Sequence, residues 1–270
     1  MKRLTLFVKG NVDVYDSLHS CVIGGQLRWN GINEIVRPVH PDCLIRLKHE
    51  TWTRSDALLS ASGSAPSELA ARSLALGAYP VMSQFSTALF EATPDAFILS
   101  IQPDTATGLF RHRETGILFY PHDMANWPTA DREWFKATFV PLGALDVADS
   151  MANFQRIIDF IRARSDAPIL IYNVSPIVPG ETIHCYQGFG ETYSTRMRRF
   201  NLGLVALSES TGVSVIDVDA ILARAGADRL KLDAIHLAPE GYRLIAEEVV
   251  RVLEDLGVLE PRGLPLCAQA

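Results

Sequence analysis

Four short apolar runs divide the chain, at residues 4–8, 96–101, 168–172 and 213–218. Each run is rich in Ile, Leu and Val and lacks a clean polar alternation, which is typical of parallel strands covered on both faces. Apolar residues at helical spacing predict four helices, over residues 67–76, 150–164, 193–210 and 239–256. Strands that alternate with helices in this way predict an α/β protein with a doubly wound, mainly parallel sheet.

The pattern predicts a single domain over residues 1–260, with no internal repeat and no linker rich in Gly, Ser or Pro. Residues 105–146 are the least regular part, with a hairpin-like stretch and two tryptophans. We interpret them as an insertion in that domain, for which a lid is one role. The last residues, 261–270, follow the final helix and are expected to form a loosely held tail.

The composition is that of an ordinary soluble globular protein: of 270 residues, 48% are hydrophobic and 21% are charged. The formal net charge of -6 argues against nucleic acid as a partner, because phosphate binding needs a basic surface. No apolar run approaches the ~20 residues of a membrane helix, so we expect no membrane partner. The N-terminal apolar run is too short for a signal peptide, and we therefore expect a cytoplasmic protein.

The four cysteines, Cys21, Cys43, Cys185 and Cys267, form no C-x-x-C pair. We therefore predict no metal site and no cofactor, and we expect four reduced thiols that are mostly buried. A small-molecule substrate is the expected binding partner, and the sequence leaves the oligomeric state open.

The most informative stretch is LKLDAIHLAPEGY, at residues 230–242, just before the last predicted helix. It places Asp233 and His236 three positions apart, in a loop at the rim of the predicted sheet. A carboxylate beside an imidazole orients the ring and stabilises the imidazolium, and such rim loops carry the chemistry of many α/β folds. A surface loop with a helix-entry aspartate and a solvated histidine is the alternative interpretation.

The D-x-x-H-L motif, followed by P-E-G-Y and an amphipathic helix, resembles the last block of the SGNH (GDSL-like) hydrolase superfamily. Residues 213–230 are similar too, since a late strand of that family ends in an aspartate and a short helix leads to the D-x-x-H loop. The resemblance implies a flavodoxin-like three-layer α/β/α sandwich and a Ser-His-Asp triad for ester hydrolysis or acyl transfer. It makes His236 the general base and Asp233 the carboxylate that orients it.

The first block of that family is a strand followed at once by G-D-S, and two registers compete for it here. In the first, the strand runs into Gly10, Asn11 and Val12. Gly10 then supplies the tight turn, Asn11 can donate through its backbone, and a valine in the nucleophile position forms no acyl-enzyme. In the second, the letters Y-D-S-L at residues 15–18 make Ser17 the nucleophile, which requires a long excursion between strand and serine.

The oxyanion donors of the family have less distinct counterparts. The third block is a strand followed by G-x-N-D, and here Gln102 could replace the asparagine as an amide donor, although Pro103 and the missing glycine change the local backbone. A plain strand-to-loop turn is the alternative. The second block contributes a glycine N–H, and three candidates stay open: Gly24, Gly25 and Gly31.

Two further polar residues are candidates for substrate contacts. Arg54 lies in the dense polar stretch HETWTRSD and would suit a carboxylate or phosphate through bidentate hydrogen bonds; an exposed loop is the alternative. Asn33, in WNGINE, could line a pocket, although N-G is also a common turn.

We therefore expect an SGNH hydrolase-like enzyme for ester hydrolysis or acyl transfer on a small polar or glycan-like substrate. Its catalytic residues would be Ser17, Asp233 and His236. Two alternatives stay open. One is a serine-less enzyme that uses the Asp233–His236 pair for acid–base work, and the other is a catalytically silent member that binds a ligand or a partner protein.

Overall fold

A computed structural model of the chain describes residues 1–181 and 190–259. The strands are, in chain order, β1 (Lys2–Lys9), β2 (Ser20–Ile23), β3 (Gln26–Asn30), β4 (Cys43–Glu50), β5 (Ala96–Ser100), β6 (Phe110–His112), β7 (Leu118–Phe119), β8 (Phe139–Pro141), β9 (Ile169–Tyr172) and β10 (Ser214–Ile216). The α-helices are α1 (Val12–Leu18), α2 (Asn33–Val39), α3 (Ser55–Leu59), α4 (Ser67–Ala70), α5 (Val81–Gln84), α6 (Ala88–Glu91), α7 (Gln102–Ala106), α8 (Thr129–Thr138), α9 (Val147–Arg162), α10 (Tyr193–Thr211), α11 (Val218–Ala225), α12 (Ala227–Leu230) and α13 (Pro239–Asp255).

Five of these strands form a parallel sheet in the order β10–β9–β5–β1–β4. This is the strand order of flavodoxin-like folds, in which the chain winds first to one side of β1 and then to the other. The four strands predicted from apolar runs are confirmed as β1, β5, β9 and β10. The apolar pattern does not reveal β4, because its sequence CLIRLKHE mixes apolar with charged residues, as an edge strand does.

Successive side chains of the central strands enter two separate cores, one on each face of the sheet. On β5, Ile98 belongs to the first core, whereas Phe97 and Leu99 belong to the second. Helices α1, α2, α11 and α13 cover the first face, and α3, α9 and α10 cover the second. The architecture is therefore a three-layer α/β/α sandwich with a parallel sheet, and this prediction is confirmed.

The three long helices confirm the ones predicted over residues 150–164, 193–210 and 239–256. Thr192 begins α10 by accepting the Thr195 N–H on its hydroxyl at 3.2 Å. Gly212 ends the same helix with a φ of 69°, a conformation that glycine adopts without strain. Each fully buried leucine, such as Leu253 on α13, contributes about 1.5–3 kcal/mol relative to an exposed one.

A third, mostly aromatic core lies apart from the sheet and includes Phe119, Trp127, Phe135 and Phe139. Two segments of the chain form it, residues 65–85 and 110–141, and we call them together the cap. Residues 110–141, which fall within the irregular stretch 105–146, supply the larger part of the cap and form a three-stranded sheet of β6, β7 and β8. The earlier segment joins it because Leu69 and Phe85 enter the same core.

The helix predicted over residues 67–76 is shorter in the structure, where only α4 is helical. Leu74 and Leu76 pack into the aromatic core of the cap instead of continuing the apolar face of a helix. Within the described ranges, no helix has both the length and the apolar character needed to cross a lipid bilayer. The tail predicted at 261–270 lies outside the described residues.

Candidate active site

The carboxyl ends of β1 and β5 lie side by side at the point where the chain changes its winding direction. In open α/β sheets this topological switch point is the usual position of a ligand site. The turn of residues 10–12 follows β1 there, and Gln102 follows β5 at the start of α7. Functional side chains are therefore expected around these two turns.

Gly10 turns the chain from β1 towards α1 and leaves no room for a side chain. A Cβ atom there would stand 2.5 Å from Val14 Cγ2. The Gly10 N–H donates to the Glu50 carbonyl at 3.3 Å, and its own carbonyl accepts from His49 Nε2 at 2.8 Å. Helix α1 begins two residues later with Val12. The backbone thus follows the first of the two registers, with Val12 where the resemblance would put a nucleophile.

Ser17 lies on the buried face of α1 together with Val14 and Leu18. Its side chain is 0% exposed, and its Oγ donates to the Val14 carbonyl at 3.0 Å and stands 3.1 Å from the Tyr172 hydroxyl. These contacts tie α1 to β9 and direct Oγ into the core. In the described chain Ser17 makes no hydrogen bond to His236, so the structure does not present this serine to a substrate as the letters D-S-L suggest.

Asp233 and His236 lie in the loop between α12 and α13 and form a hydrogen-bonded pair. Asp233 Oδ2 accepts from His236 Nδ1 at 2.7 Å, and Oδ1 accepts the N–H groups of Ile235 and His236, both at 2.7 Å. Partial burial raises the pKa of the Asp233 carboxyl, but these hydrogen bonds outweigh it and bring the pKa down to about 2. With an ionised carboxylate on Nδ1, Nε2 is the ring nitrogen that can take up a proton.

His236 lines an open cleft of about 840 Å³ together with Asn11 and Val12. The cleft therefore joins the loop of the Asp233–His236 pair to the turn after β1. Asn11 is buried, and its side-chain oxygen has no hydrogen-bond partner in the described chain. A buried polar atom without a partner is costly, so Asn11 is suited to contact a polar ligand in the cleft.

A first group of rings reaches the cleft from the sheet side. Tyr15 stacks on His19 at 4.4 Å between ring centroids, and His19 stands 5.3 Å from His49. His49 Nε2 donates to the Gly10 carbonyl, so the lone pair of its neutral ring is on Nδ1, 3.3 Å from His19 Nε2. Burial lowers the pKa of His49 to about 4 and also lowers that of His19. Both rings are therefore neutral near pH 7. Since both nitrogens of His49 have partners within the protein, His19 Nδ1 is the nitrogen of this pair that could hydrogen bond an uncharged ligand.

A second group of rings comes from the cap. Tyr79 and Tyr120 meet edge to face at 5.0 Å, and His122 lies 5.0 Å from Tyr79. Gln84 holds both tyrosines, because its Nε2 donates to their carbonyls and its Oε1 accepts the Tyr120 N–H. Ser83 also lines this side of the cleft. No sequence motif marks these residues, which meet only because the two segments of the cap share a core.

Four of the seven histidines in the sequence line this cleft, namely His19, His49, His122 and His236. Over residues 1–181 and 190–259, no group of three His, Cys, Asp or Glu side chains is arranged to hold a metal ion. Two of the rings have partners that set their tautomers, a backbone carbonyl for His49 and a carboxylate for His236.

Gln102 lies beside this cleft rather than in it. It is the first residue of α7 and lines a smaller cavity together with Asp13 and Lys231. Its backbone N–H donates to Ser100 Oγ at 3.0 Å, and that hydroxyl donates to Asp13 Oδ2 at 2.5 Å. The amide of Gln102 is therefore not among the groups that line the cleft next to His236.

Arg54 and Asn33 are bound by other parts of the protein. Arg54 is buried, donates to both carboxylate oxygens of Asp56 at 3.0 and 2.6 Å, and donates to the Gly143 carbonyl at 2.9 Å. The Asn33 amide pairs with the backbone N–H and carbonyl of Ile45 at 2.9 and 2.8 Å, on the edge strand β4. Neither residue lines the cleft, so the structure does not bring them to the proposed substrate site.

The three candidate glycines for the oxyanion hole also lie elsewhere. Gly24 and Gly25 form the turn between β2 and β3, with φ values of 58° and 77°. Gly31 precedes α2 with a φ of 80°, and a Cβ atom on it would stand 2.7 Å from the Leu18 carbonyl. Glycine is favoured at these three positions because the backbone has a positive φ there. None of the three lines the described cleft.

No family model matches the sequence, and no curated protein matches it either. Among solved structures, the chain is similar to Axe2, an acetylxylan esterase from Geobacillus stearothermophilus, with 12% identity, 98% of this chain and 97% of that chain covered, and a TM-score of 0.50. A variant of Axe2, described as an acetyl-xylooligosaccharide esterase, matches with 12% identity, 97% and 96% coverage, and a TM-score of 0.50. A member of the lipolytic G-D-S-L family from Veillonella parvula matches with 12% identity, 94% and 99% coverage, and a TM-score of 0.48. The chain therefore shares the fold of the Axe2 esterase structures, and the predicted resemblance is confirmed at the level of the fold.

Proposed function

We propose that the protein is an ester hydrolase in which the Asp233–His236 pair activates water directly, without a serine nucleophile. The observation that carries this proposal is the position of the pair on a large cleft whose other margin is the turn with Val12. A valine offers no nucleophilic atom, whereas an imidazole held by a carboxylate is an effective general base for water.

The reaction then has two proton transfers and one exchange of bonds at the acyl carbon. His236 Nε2 takes a proton from water as the water oxygen bonds to the acyl carbon, and the ester carbonyl becomes an oxyanion. The bond from the acyl carbon to the alcohol oxygen then breaks, and the His236 imidazolium gives its proton to that oxygen. The Asp233 carboxylate stabilises the imidazolium between the two steps, and the Nδ2–H group of the Asn11 side chain, not its oxygen, is our candidate donor to the oxyanion.

The rings that line the cleft support a small polar or glycan-like alcohol as the other half of the ester. Aromatic faces pack well against the apolar faces of a sugar ring, and hydroxyl and imidazole groups hydrogen bond its hydroxyls. The cleft offers both, through Tyr15, Tyr79 and Tyr120 and through the neutral His19. The acetylated xylo-oligosaccharides named for the Axe2 variant are an example of this class, and acetylated oligosaccharides are the first substrates to assay.

Hydrolysis of p-nitrophenyl acetate and of acetylated oligosaccharides tests the proposal. We expect His236→Ala to lower kcat/KM by about 10²- to 10⁴-fold, because the general base is removed. The matched control is His40→Ala, since His40 bonds Glu254 at 2.7 Å and does not line the cleft. Wild-type turnover in His236→Ala would exclude the mechanism.

A fluorophosphonate probe, which labels activated serines, tests the absence of a serine nucleophile. We expect no labelling of the wild-type protein under conditions in which it turns over ester. Ser83 is the serine that lines the described cleft. If the wild-type protein is labelled and the Ser83→Ala variant is not, the nucleophile is the Ser83 hydroxyl rather than water.

The Val12→Ser variant tests the position of the turn itself. A serine at the start of α1 would place a hydroxyl on the cleft beside the general base. We expect this variant to be labelled by the fluorophosphonate and the Val12→Ser/His236→Ala double variant to stay unlabelled. A folded Val12→Ser protein without labelling would show that residue 12 does not lie within reach of the pair.

A further inference from the structure

Beside the cleft lies a second cavity of about 30 Å³, and Ile235 lines both. Apolar residues line about half of the smaller cavity, and the rest is lined by polar side chains that the proposed reaction does not use. Three of their oxygens, Asp13 Oδ1, Gln102 Oε1 and Ser175 Oγ, are buried without a hydrogen-bond partner in the described chain. Buried acceptors without partners are costly, so this cavity is built to hold a hydrogen-bond donor.

The ammonium group that can serve these acceptors belongs to Lys231, which lines the same cavity and is 6% exposed. Its Nζ donates to the Ala234 carbonyl at 2.9 Å, inside the loop that carries the catalytic pair. The backbone closes this loop at its base, because residues 231 and 237 form an antiparallel bridge and the Leu232 N–H donates to the His236 carbonyl at 3.0 Å. Lys231 thus holds the middle of the loop from within.

The charges around Lys231 come from three elements. Asp13 on α1, Asp219 on α11 and Asp233 in the loop all attract the ammonium, and the hydroxyls of Tyr172 and Tyr193 are the other titratable groups that line the cavity. Burial lowers the pKa of Lys231 to about 8, although the three carboxylates oppose this. The ammonium is therefore the main form at pH 7 and is lost through the range around pH 8.

We propose that Lys231 is a positioning residue, whose ammonium group holds the loop of Asp233 and His236 against α1 and the oxygens of the small cavity. This inference rests on the proposed function for its effect on activity. A cavity of this volume takes about one water molecule, which would bridge the ammonium to acceptors such as Asp13 Oδ1. A general base must stand within hydrogen-bond reach of its proton, so loosening the loop lowers turnover without removing a group that touches the substrate.

The kinetic test uses Lys231→Met, Lys231→Arg and the exposed control Lys136→Met. We expect Lys231→Met to lower kcat by about 10-fold or more, because small misplacements of a reacting group are costly, with KM changed by less than about 2-fold. We expect kcat of the wild type to fall with a midpoint near pH 8, as the ammonium is lost. Lys231→Arg should restore kcat and move this fall to higher pH, since arginine stays protonated.

A second readout does not depend on activity and uses amide hydrogen exchange at pH 7. The Leu232 N–H is bonded across the loop to the His236 carbonyl, so we expect its exchange to accelerate in Lys231→Met and to stay slow in Lys231→Arg and Lys136→Met. Wild-type exchange at Leu232 in a folded Lys231→Met protein would overturn the positioning role. If His236→Ala turns over ester normally while this exchange still accelerates, the proposed function fails and the role of Lys231 in holding the loop stands.

Discussion

Asp104, in the interior, and Asp233, on the rim of the cleft, each accept three hydrogen bonds. In the interior, Asp104 accepts the Ser55 N–H at 2.7 Å and the hydroxyls of Ser55 and Ser150 at 2.5 and 2.6 Å. On the rim, Asp233 accepts two backbone N–H groups and the His236 ring, all at 2.7 Å. Asp104 is 1% exposed, whereas the side chain of Asp233 is 55% exposed.

The two carboxyls titrate in opposite directions despite their equal number of hydrogen bonds. Burial raises the pKa of Asp104 to about 6, and its hydrogen bonds offset this only in part. At Asp233 the smaller effect of burial is outweighed by the hydrogen bonds, and the pKa falls to about 2. Access to water therefore decides the protonation state, since burial disfavours the charged form. The interior carboxyl joins α3, α7 and α9, and the rim carboxylate is kept ionised beside an imidazole.

The largest expected effect is on activity, at the rim. Asp233→Asn retains an acceptor for the two backbone N–H groups but removes the charge that stabilises the His236 imidazolium. We expect kcat/KM to fall by about 10²- to 10⁴-fold, while the free energy of unfolding changes by less than about 1 kcal/mol, as at other exposed positions. Ester assays and urea denaturation measure the two quantities, with the exposed Asp228→Asn as control. If the free energy of unfolding falls by as much as the free energy that corresponds to the fall in kcat/KM, the role of Asp233 is structural rather than catalytic.

The next effect is on stability, in the interior. Asp104→Ala leaves the Ser55 N–H and the hydroxyls of Ser55 and Ser150 without their acceptor. We expect the free energy of unfolding to fall by about 3–5 kcal/mol, with kcat per folded molecule unchanged. Asp149→Ala, an exposed position on α9, is the matched control in the same urea titration. A change as small as that of the control would mean that these donors find other acceptors.

The same contrast explains how much of the fold could be predicted from the sequence. The strands β1, β5 and β9 lie inside the sheet and have both faces covered, and their buried residues are visible as runs of Ile, Leu and Val. The short edge strand β10 is visible in the same way because it lies in an apolar stretch. The edge strand β4 carries Arg46 and Lys48 among its apolar residues and is not visible in this way. Apolar runs therefore indicate strands whose residues are buried, and they do not indicate a strand such as β4, in which charged and exposed residues interrupt the apolar ones.

At the candidate site, the parts that could be predicted are those held by neighbours in sequence. Asp233 and His236 pair across three residues, so their spacing alone indicates the contact. The cleft rings Tyr79 and Tyr120 are 41 positions apart, and the amide of Gln84 joins them through backbone contacts that no motif records. The match of Ser17 to the D-S-L motif does not predict where its side chain lies, because the residues that pack against α1 decide which face of the helix is buried.

The smallest expected effect is the contribution of Asp104 to the dependence of stability on pH between about 4 and 6. Its pKa in the folded protein, about 6, lies above the ordinary value of 3.8, so the folded state binds the proton more tightly than the unfolded state. The contribution of Asp104 to the free energy of unfolding should therefore be largest below pH 4. It should fall by on the order of 2–3 kcal/mol as pH rises through 6. Asp233, with its lowered pKa, acts with the opposite sign and only below about pH 4. Urea denaturation of the wild type and Asp104→Asn at pH 4, 5, 6 and 7 measures the difference, and two curves that stay parallel over this range would contradict the assignment.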